Sequence, residues 1–110
     1  MGYQDESRAT WRAVSVNSQE TGVDVYCLLG LGSEVGELQG KIKKIFRDKG
    51  GRIDDHDVKD IGLELGDILW YLTQIATNFG LTLEEIMGAN IGKLADRAKR
   101  GVIGGSGDNR

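Results

Sequence analysis

The sequence predicts an all-α helical bundle, and three observations predict it. The chain has 110 residues and no proline, and proline is the strongest helix breaker. Two long segments carry apolar residues in alternating steps of three and four, which is one stripe of a helix each. No segment shows the apolar–polar alternation of a half-buried strand. Length bounds the rest. A single domain of this size buries roughly two-thirds of its unfolded surface, enough for one core but not for two lobes with a cleft. Any deep site therefore lies between helices or between copies of the chain.

Four helices are expected. The first spans about 4–14, short and polar, with Trp11 as its core anchor; a Ser/Asn/Thr/Gly loop over 15–22 follows. The second spans about 23–47, where Leu28, Leu31, Val35, Leu38, Ile42 and Ile45 form the stripe. Residues 48–55 read as a turn, with Asp55 or Asp57 as the next N-cap. The third spans about 57–79, with Val58, Ile61, Leu65, Ile68, Leu72, Ile75 and Phe79 as its stripe and Gly80 as the residue that ends it. Thr82 caps the fourth helix and Glu85 completes a capping box. That helix runs to about Lys99, with Leu83, Met87, Ile91 and Leu94 facing inward. The domain is thus 1–100, and 101–110 is a glycine-rich tail.

Composition excludes several classes. Net charge is −3, but residues 93–110 carry +3 and the remainder −6. An acidic body argues against nucleic acid as a partner, since duplex binders show a basic face. There is no apolar run near 18 residues and no signal peptide, so neither a membrane nor export is expected. The single cysteine, Cys27, excludes an intrachain disulfide framework and reads as a small buried hydrophobe. The expected location is a reducing cytoplasm.

The chemistry is carried by acidic pairs. At about 100° per residue, Glu34 and Glu37 lie about 60° apart beside the apolar stripe of the second helix. Lys41 and Lys44 continue that flank. Glu64 and Asp67 stand in the same relation on the third helix, with Asp60 and Tyr71 on their flank. If the two stripes face each other antiparallel, the four carboxylates converge. They would repel and rise in pKa unless a cation joined them. An all-oxygen set selects hard cations, Mg²⁺ first and Mn²⁺ second. The ordinary reading is a solvated acidic face, with Glu37–Lys41 a plain i, i+4 ion pair.

The segments GLGSEVGELQGKIKK and LELGDILWYL resemble the all-α, MazG-like nucleoside triphosphate pyrophosphohydrolases. That family's hallmark is E-x-x-E, a spacer, then E-x-x-D. Here it is Glu34-x-x-Glu37, 26 intervening residues, and Glu64-x-x-Asp67. NIGKLADRAKRG resembles the family's N-x-x-K-L-x-x-R stretch, and Tyr3-Gln4 its opening. The resemblance covers roughly residues 3–110 and implies a four-helix MazG-like bundle. It implies that a (d)NTP is cleaved between its α and β phosphates, giving a nucleoside monophosphate and pyrophosphate, as in house-cleaning of the nucleotide pool. Glu34, Glu37, Glu64 and Asp67 match the metal ligands, and Glu34 or Glu37 is the expected general base.

The substrate-binding set is Lys41, Lys44, Tyr71, Asn90, Lys93, Arg97 and Arg100. Asn90, Lys93 and Arg97 share one face of the fourth helix at spacings of three and four, suited to sugar or base and to phosphate oxygens. Their ordinary reading is a basic helix end, favourable at a C-terminus. Arg100, Asp108 and Arg110 are expected to close over the phosphates. Tyr71 is the candidate for the base; Trp70 points to the glycine side. His56 reads as a surface or capping residue. A di-iron carboxylate bundle is excluded because neither acidic motif contains histidine. A non-catalytic helical interaction module is the alternative, and the intact four-carboxylate set weighs against it.

Glycine sharpens the quaternary expectation. Gly32, Gly36 and Gly40 are spaced by four, as are Gly62 and Gly66, and Gly88 and Gly92. Each set makes a smooth ridge that lets backbones approach, as GxxxG does in membranes. The ridges are expected to pack helices or subunits, giving a homodimer or a homotetramer built as a dimer of dimers.

Overall fold

The computed structural model describes residues 2–14 and 22–108. Four α-helices occur among them and no strand: α1 (Tyr3–Arg8), α2 (Val25–Lys49), α3 (Asp55–Asn78) and α4 (Leu83–Arg100). The all-α expectation therefore holds. The chain forms two compact units, Met1–Gly80 and Leu81–Arg110. No helix is long and apolar enough to cross a membrane among the described residues.

In the first unit α2 and α3 run antiparallel, joined by a five-residue connection. The pairings step down one helix as they step up the other. Lys49 bonds Asp54 (3.0 Å) and Asp57 near the connection. Lys41 meets Glu64 at 3.1 Å in the middle. Asn78 Oδ1 accepts from the Asp24 N–H at 2.9 Å at the far end. α1 lies along α3 through polar contacts. Gln4 Nε2 donates to Thr77 Oγ1 at 2.9 Å, Gln74 Nε2 to Ser7 Oγ at 2.8 Å, and Trp70 Nε1 to Thr10 Oγ1 at 2.9 Å.

Helix ends follow local chemistry. α3 starts two residues earlier than the sequence suggests, because Asp54 is its N-cap, in place of Asp55 or Asp57. The Asp54 carboxylate accepts from the Asp57 N–H and Asp57 returns the bond to the Asp54 N–H, which is a reciprocal capping box. Gly50 adopts φ 61° at the end of α2 and Gly80 φ 71° after α3, a conformation that only glycine takes cheaply. Thr82 caps α4 by accepting from the Glu85 N–H.

Two further expectations are corrected. α1 ends at Arg8 and not near residue 14. Trp11 sits beyond it, half-buried, donating from Nε1 to Asp24 Oδ2 at 2.7 Å with the Arg8 guanidinium over its ring. Asp24 in turn caps α2 through the Cys27 N–H. The apolar stripes are also less buried than their periodicity implies. Among the described apolar residues, only Cys27, Ile45 and Ala76 are fully buried, whereas Leu65 is 51 % exposed and Val58 59 %. Contact between two helices buries a narrow seam, and the outer residues of a broad stripe stay outside it.

Among the described residues, nothing lies against the glycine ridges. A Cβ added at Gly32, Gly36, Gly40, Gly62, Gly66, Gly88 or Gly92 would find no atom within 4 Å. Gly30, outside the four-residue series, makes a close approach between helices. A Cβ there would lie 2.2 Å from Cε1 of Tyr71. That ring is wedged between Tyr26 (centroids 6.3 Å apart) and Trp70 (5.0 Å, edge-on), so it has little room to retreat. Gly30→Ala is expected to destabilise by about 1–2 kcal/mol, as overpacking outweighs the gain in helix propensity. A thermal midpoint equal to wild type would contradict this.

Candidate functional site

Three of the four motif carboxylates are brought together. Glu34 and Glu37 from α2 and Glu64 from α3 each offer an oxygen, all within 4.8 Å of one another. This follows from the i, i+3 pair on one flank of α2 and the antiparallel register that sets Glu64 opposite. Asp67 is outside that group. It lies close enough to Glu34 to act on it electrostatically, and the two share a cavity of about 330 Å³ with Thr10, Trp70 and Tyr71.

The electrostatics are those of crowded like charges. Burial, then a hydrogen bond to Glu64, then the charges of Glu37, Asp67 and Glu64 push the Glu34 carboxyl up to about 7. Glu64 moves the other way. The Lys41 ammonium beside it outweighs its burial and holds it below the usual range. One oxygen of Glu34 and one of Glu64 are buried with no hydrogen-bond partner. Buried carboxylate oxygens are costly unless satisfied, and a hard cation would satisfy both. The donor set and its unpaired oxygens therefore fit a metal ion.

The remaining predicted residues fall in several places. Lys41 pairs across the helices with Glu64, and Glu37 on its own helix acts on it only through its charge. Lys44 lines a separate groove of about 360 Å³ with Lys41, Lys49, Asp57 and Asp60. Tyr71 lines the acidic cavity, and so does Trp70. A smaller cavity of about 140 Å³ carries Thr10, Trp70 and Tyr71 onward to Trp11, Tyr26 and Cys27. The sequence pattern does not single out Thr10 or Tyr26 and does not assign Trp70 to the site; the readable signal is the antiparallel register, which sets Tyr71 against Gly30. Burial pushes the Cys27 thiol up to about 12, so it is inert packing, as expected.

In the second unit Asn90 and Lys93 line a groove of about 510 Å³ with Leu81, Glu85, Ile86 and Ala89. Arg97 is buried, with 4 % exposure, and Arg100 pairs with Asp96 at 2.8 Å. Asp108 meets Lys93 and Arg97 at 2.9 Å each, and these bonds pull its carboxyl down to about 2. Arg110 lies outside the described residues. His56 is exposed in the first turn of α3, as read from the sequence. Asp54, His56 and Asp57 also cluster, but Asp54 and Asp57 are engaged by the cap and by Lys49.

Acidic pairs on two facing helices, one E-x-x-E and one E-x-x-D, define an all-α protein with a carboxylate site able to hold a cation. The family model for the MazG nucleotide pyrophosphohydrolase domain matches residues 26–102. The protein named Gene 37 protein, of Mycobacterium phage L5, is 46 % identical over 85 residues, covering 77 % of this chain and 75 % of that protein. The chain belongs to the MazG nucleotide pyrophosphohydrolase family. No solved structure matches it.

Because Glu34 is protonated below about pH 7 and must ionise to hold a cation, divalent-metal binding is expected to expel a proton at low pH. Calorimetry in buffers of different ionisation enthalpy should record about one proton released at about pH 6 and almost none at about pH 8.5. Release that does not change with pH would remove Glu34 from the ligand set.

Proposed function

We propose that the protein is a Mg²⁺-dependent nucleoside triphosphate pyrophosphohydrolase that converts a (d)NTP to a (d)NMP and pyrophosphate, in house-cleaning of the cytoplasmic nucleotide pool. One observation carries this reading. Carboxylates from both motif helices of a MazG-family chain converge, and two of their oxygens are buried and unpaired.

Glu34, Glu37, Glu64 and Asp67 would hold the cation, with Mn²⁺ as an alternative occupant. Mg²⁺ neutralises phosphate charge and acidifies a water when bound. The residues do the remaining work. Water attacks the α phosphorus, the bridging bond to the β phosphate breaks, and pyrophosphate leaves. Glu34 is the favoured acceptor of the water's proton, ahead of Glu37, because it lines the cavity with Asp67, Trp70 and Tyr71. Lys41 balances the charge of Glu64 and stands ready for a phosphate oxygen. The aromatic walls suit a base, which stacks on Tyr71 and is shielded from water by Trp70. Lys93, Arg97, Asn90 and Arg100 form an anion-binding face of the second unit, and Lys44 adds to the positive charge along α2.

Phosphate measured after added pyrophosphatase, across a (d)NTP panel with Mg²⁺, tests the activity. Turnover should appear, and Glu37→Gln or Asp67→Asn should lower it about 100-fold or more. No turnover on any nucleotide would overturn the reading. Phosphate released without pyrophosphatase would place the cut at the terminal phosphate instead.

The same reading includes a homodimer or a dimer of dimers. Exposed apolar side chains such as Phe46 and Leu63, each 62 % exposed, and glycine ridges that no described residue fills support this reading. Gly36→Leu or Gly66→Leu should lower the scattering mass of the assembly while leaving metal binding in place. A monomeric wild type at micromolar concentration would end this part of the proposal.

A further inference from the structure

The end of α4 carries Arg97, Lys99 and Arg100, cations that suit a helix C-terminus. Gly101, at φ 73°, closes the helix: its N–H donates to the Ala98 carbonyl and the Val102 N–H to that of Arg97. This double bond pattern terminates the helix sharply and turns the chain back. The turn returns Asp108 to Lys93 and Arg97, fifteen and eleven residues earlier.

Asp108 is a poor match for what it touches. One oxygen, Oδ1, accepts from both Lys93 Nζ and Arg97 Nη2 at 2.9 Å. Arg97 Nη2 also reaches the Gly107 carbonyl at 3.4 Å. The Arg97 side chain is only 5 % exposed, yet its Nε is buried with no partner. Two cations face one carboxylate, which leaves one positive charge uncompensated and one N–H desolvated. Guanidinium is best satisfied by a planar or tetrahedral oxyanion that takes two of its N–H groups together. A phosphoryl group offers three oxygens and up to two charges. By contrast, the Asp108 side chain is 77 % exposed and easily released to water.

We propose that residues 101–108 form an acidic latch: Asp108 occupies an oxyanion site built by Lys93 and Arg97, and a phosphate-bearing ligand displaces it. This rests on the reading of Lys93 and Arg97 as phosphate-binding. It reverses the sequence expectation for Asp108, which competes with phosphate and does not close over it. The latch taxes affinity by the fraction of time it is shut, and ligand binding frees the tail.

Inorganic pyrophosphate, titrated calorimetrically into the full chain with EDTA present, tests the latch without the metal centre. Asp108→Asn removes the competing charge at an exposed position and preserves shape. It should bind pyrophosphate roughly two- to fivefold more tightly, the range set by a partly exposed ion pair. Hydrogen exchange over 102–108 should also speed up when pyrophosphate is added to wild type. Equal or weaker binding by Asp108→Asn overturns the latch. Lys93→Met, at a half-exposed side chain, tests the underlying site in the Asp108→Asn background. Weakened binding upholds the oxyanion site even where the latch fails, and unchanged binding overturns both.

Discussion

The first unit is organised around one unfavourable interaction: three carboxylates held with oxygens within 4.8 Å, in a place where Glu34 and Glu64 each also bury an oxygen without a partner. Like charges this close in a partly desolvated place raise a pKa or demand a cation, and both responses are visible. Glu34 keeps its proton up to about 7, and Lys41 leans across to Glu64. A lone lysine lowers the repulsion without removing it, because an ammonium is a single charge and leaves other lone pairs unmet. The cluster is thus stable enough to fold and still short of positive charge.

Such a cluster persists only if its two helices are held in register by something else. The apolar seam is narrow, with few fully buried apolar side chains, so polar clips carry much of the alignment. Lys49 ties the connection through Asp54 and Asp57. At the other end Asp24 joins Trp11, Cys27 and Asn78 in one knot. Burial alone would push the Asp24 carboxyl up, but the bonds from Trp11 and Cys27 and the charge of Arg8 hold it below its usual range. Between these clips the Tyr71 ring lies on Gly30 and sets the spacing next to Glu34. A shift of one residue on either helix would rotate each acidic pair by about 100° and scatter the site.

The fold was legible because long helices announce themselves by period. The acidic pairs were legible because i, i+3 spacing fixes a shared face whatever the partner does. Less was readable where the physics is degenerate. Asp54, Asp55 and Asp57 are all good N-caps, and only the bond reciprocated between Asp54 and Asp57 chooses among them. The end of α1 is not legible, because a polar stretch has no period to mark it. The exposure of Val58 and Leu65 is not legible either, because sequence shows which face is apolar but not how wide a surface covers it. Gly30 carries no local signal, because its role is set by a ring forty-one positions away. Arg97 was read as one cation on a helix face; its burial depends on three-dimensional surroundings that no local pattern encodes.

The two units carry opposite deficits. One holds buried carboxylate oxygens without a cation, and the other a buried guanidinium nitrogen without a full anion. Neither is a feature that stability alone would keep, since replacing a half-satisfied buried charge by apolar groups is often neutral or stabilising. Each deficit is met by a group of the opposite sign: a hard cation for the carboxylate oxygens and an anionic oxygen for the guanidinium. Lys41 and Asp108 then play equivalent parts. Each is a weak, monovalent stand-in of the right sign, bound well enough to keep an incomplete site folded and loosely enough to give way to the ligand it imitates.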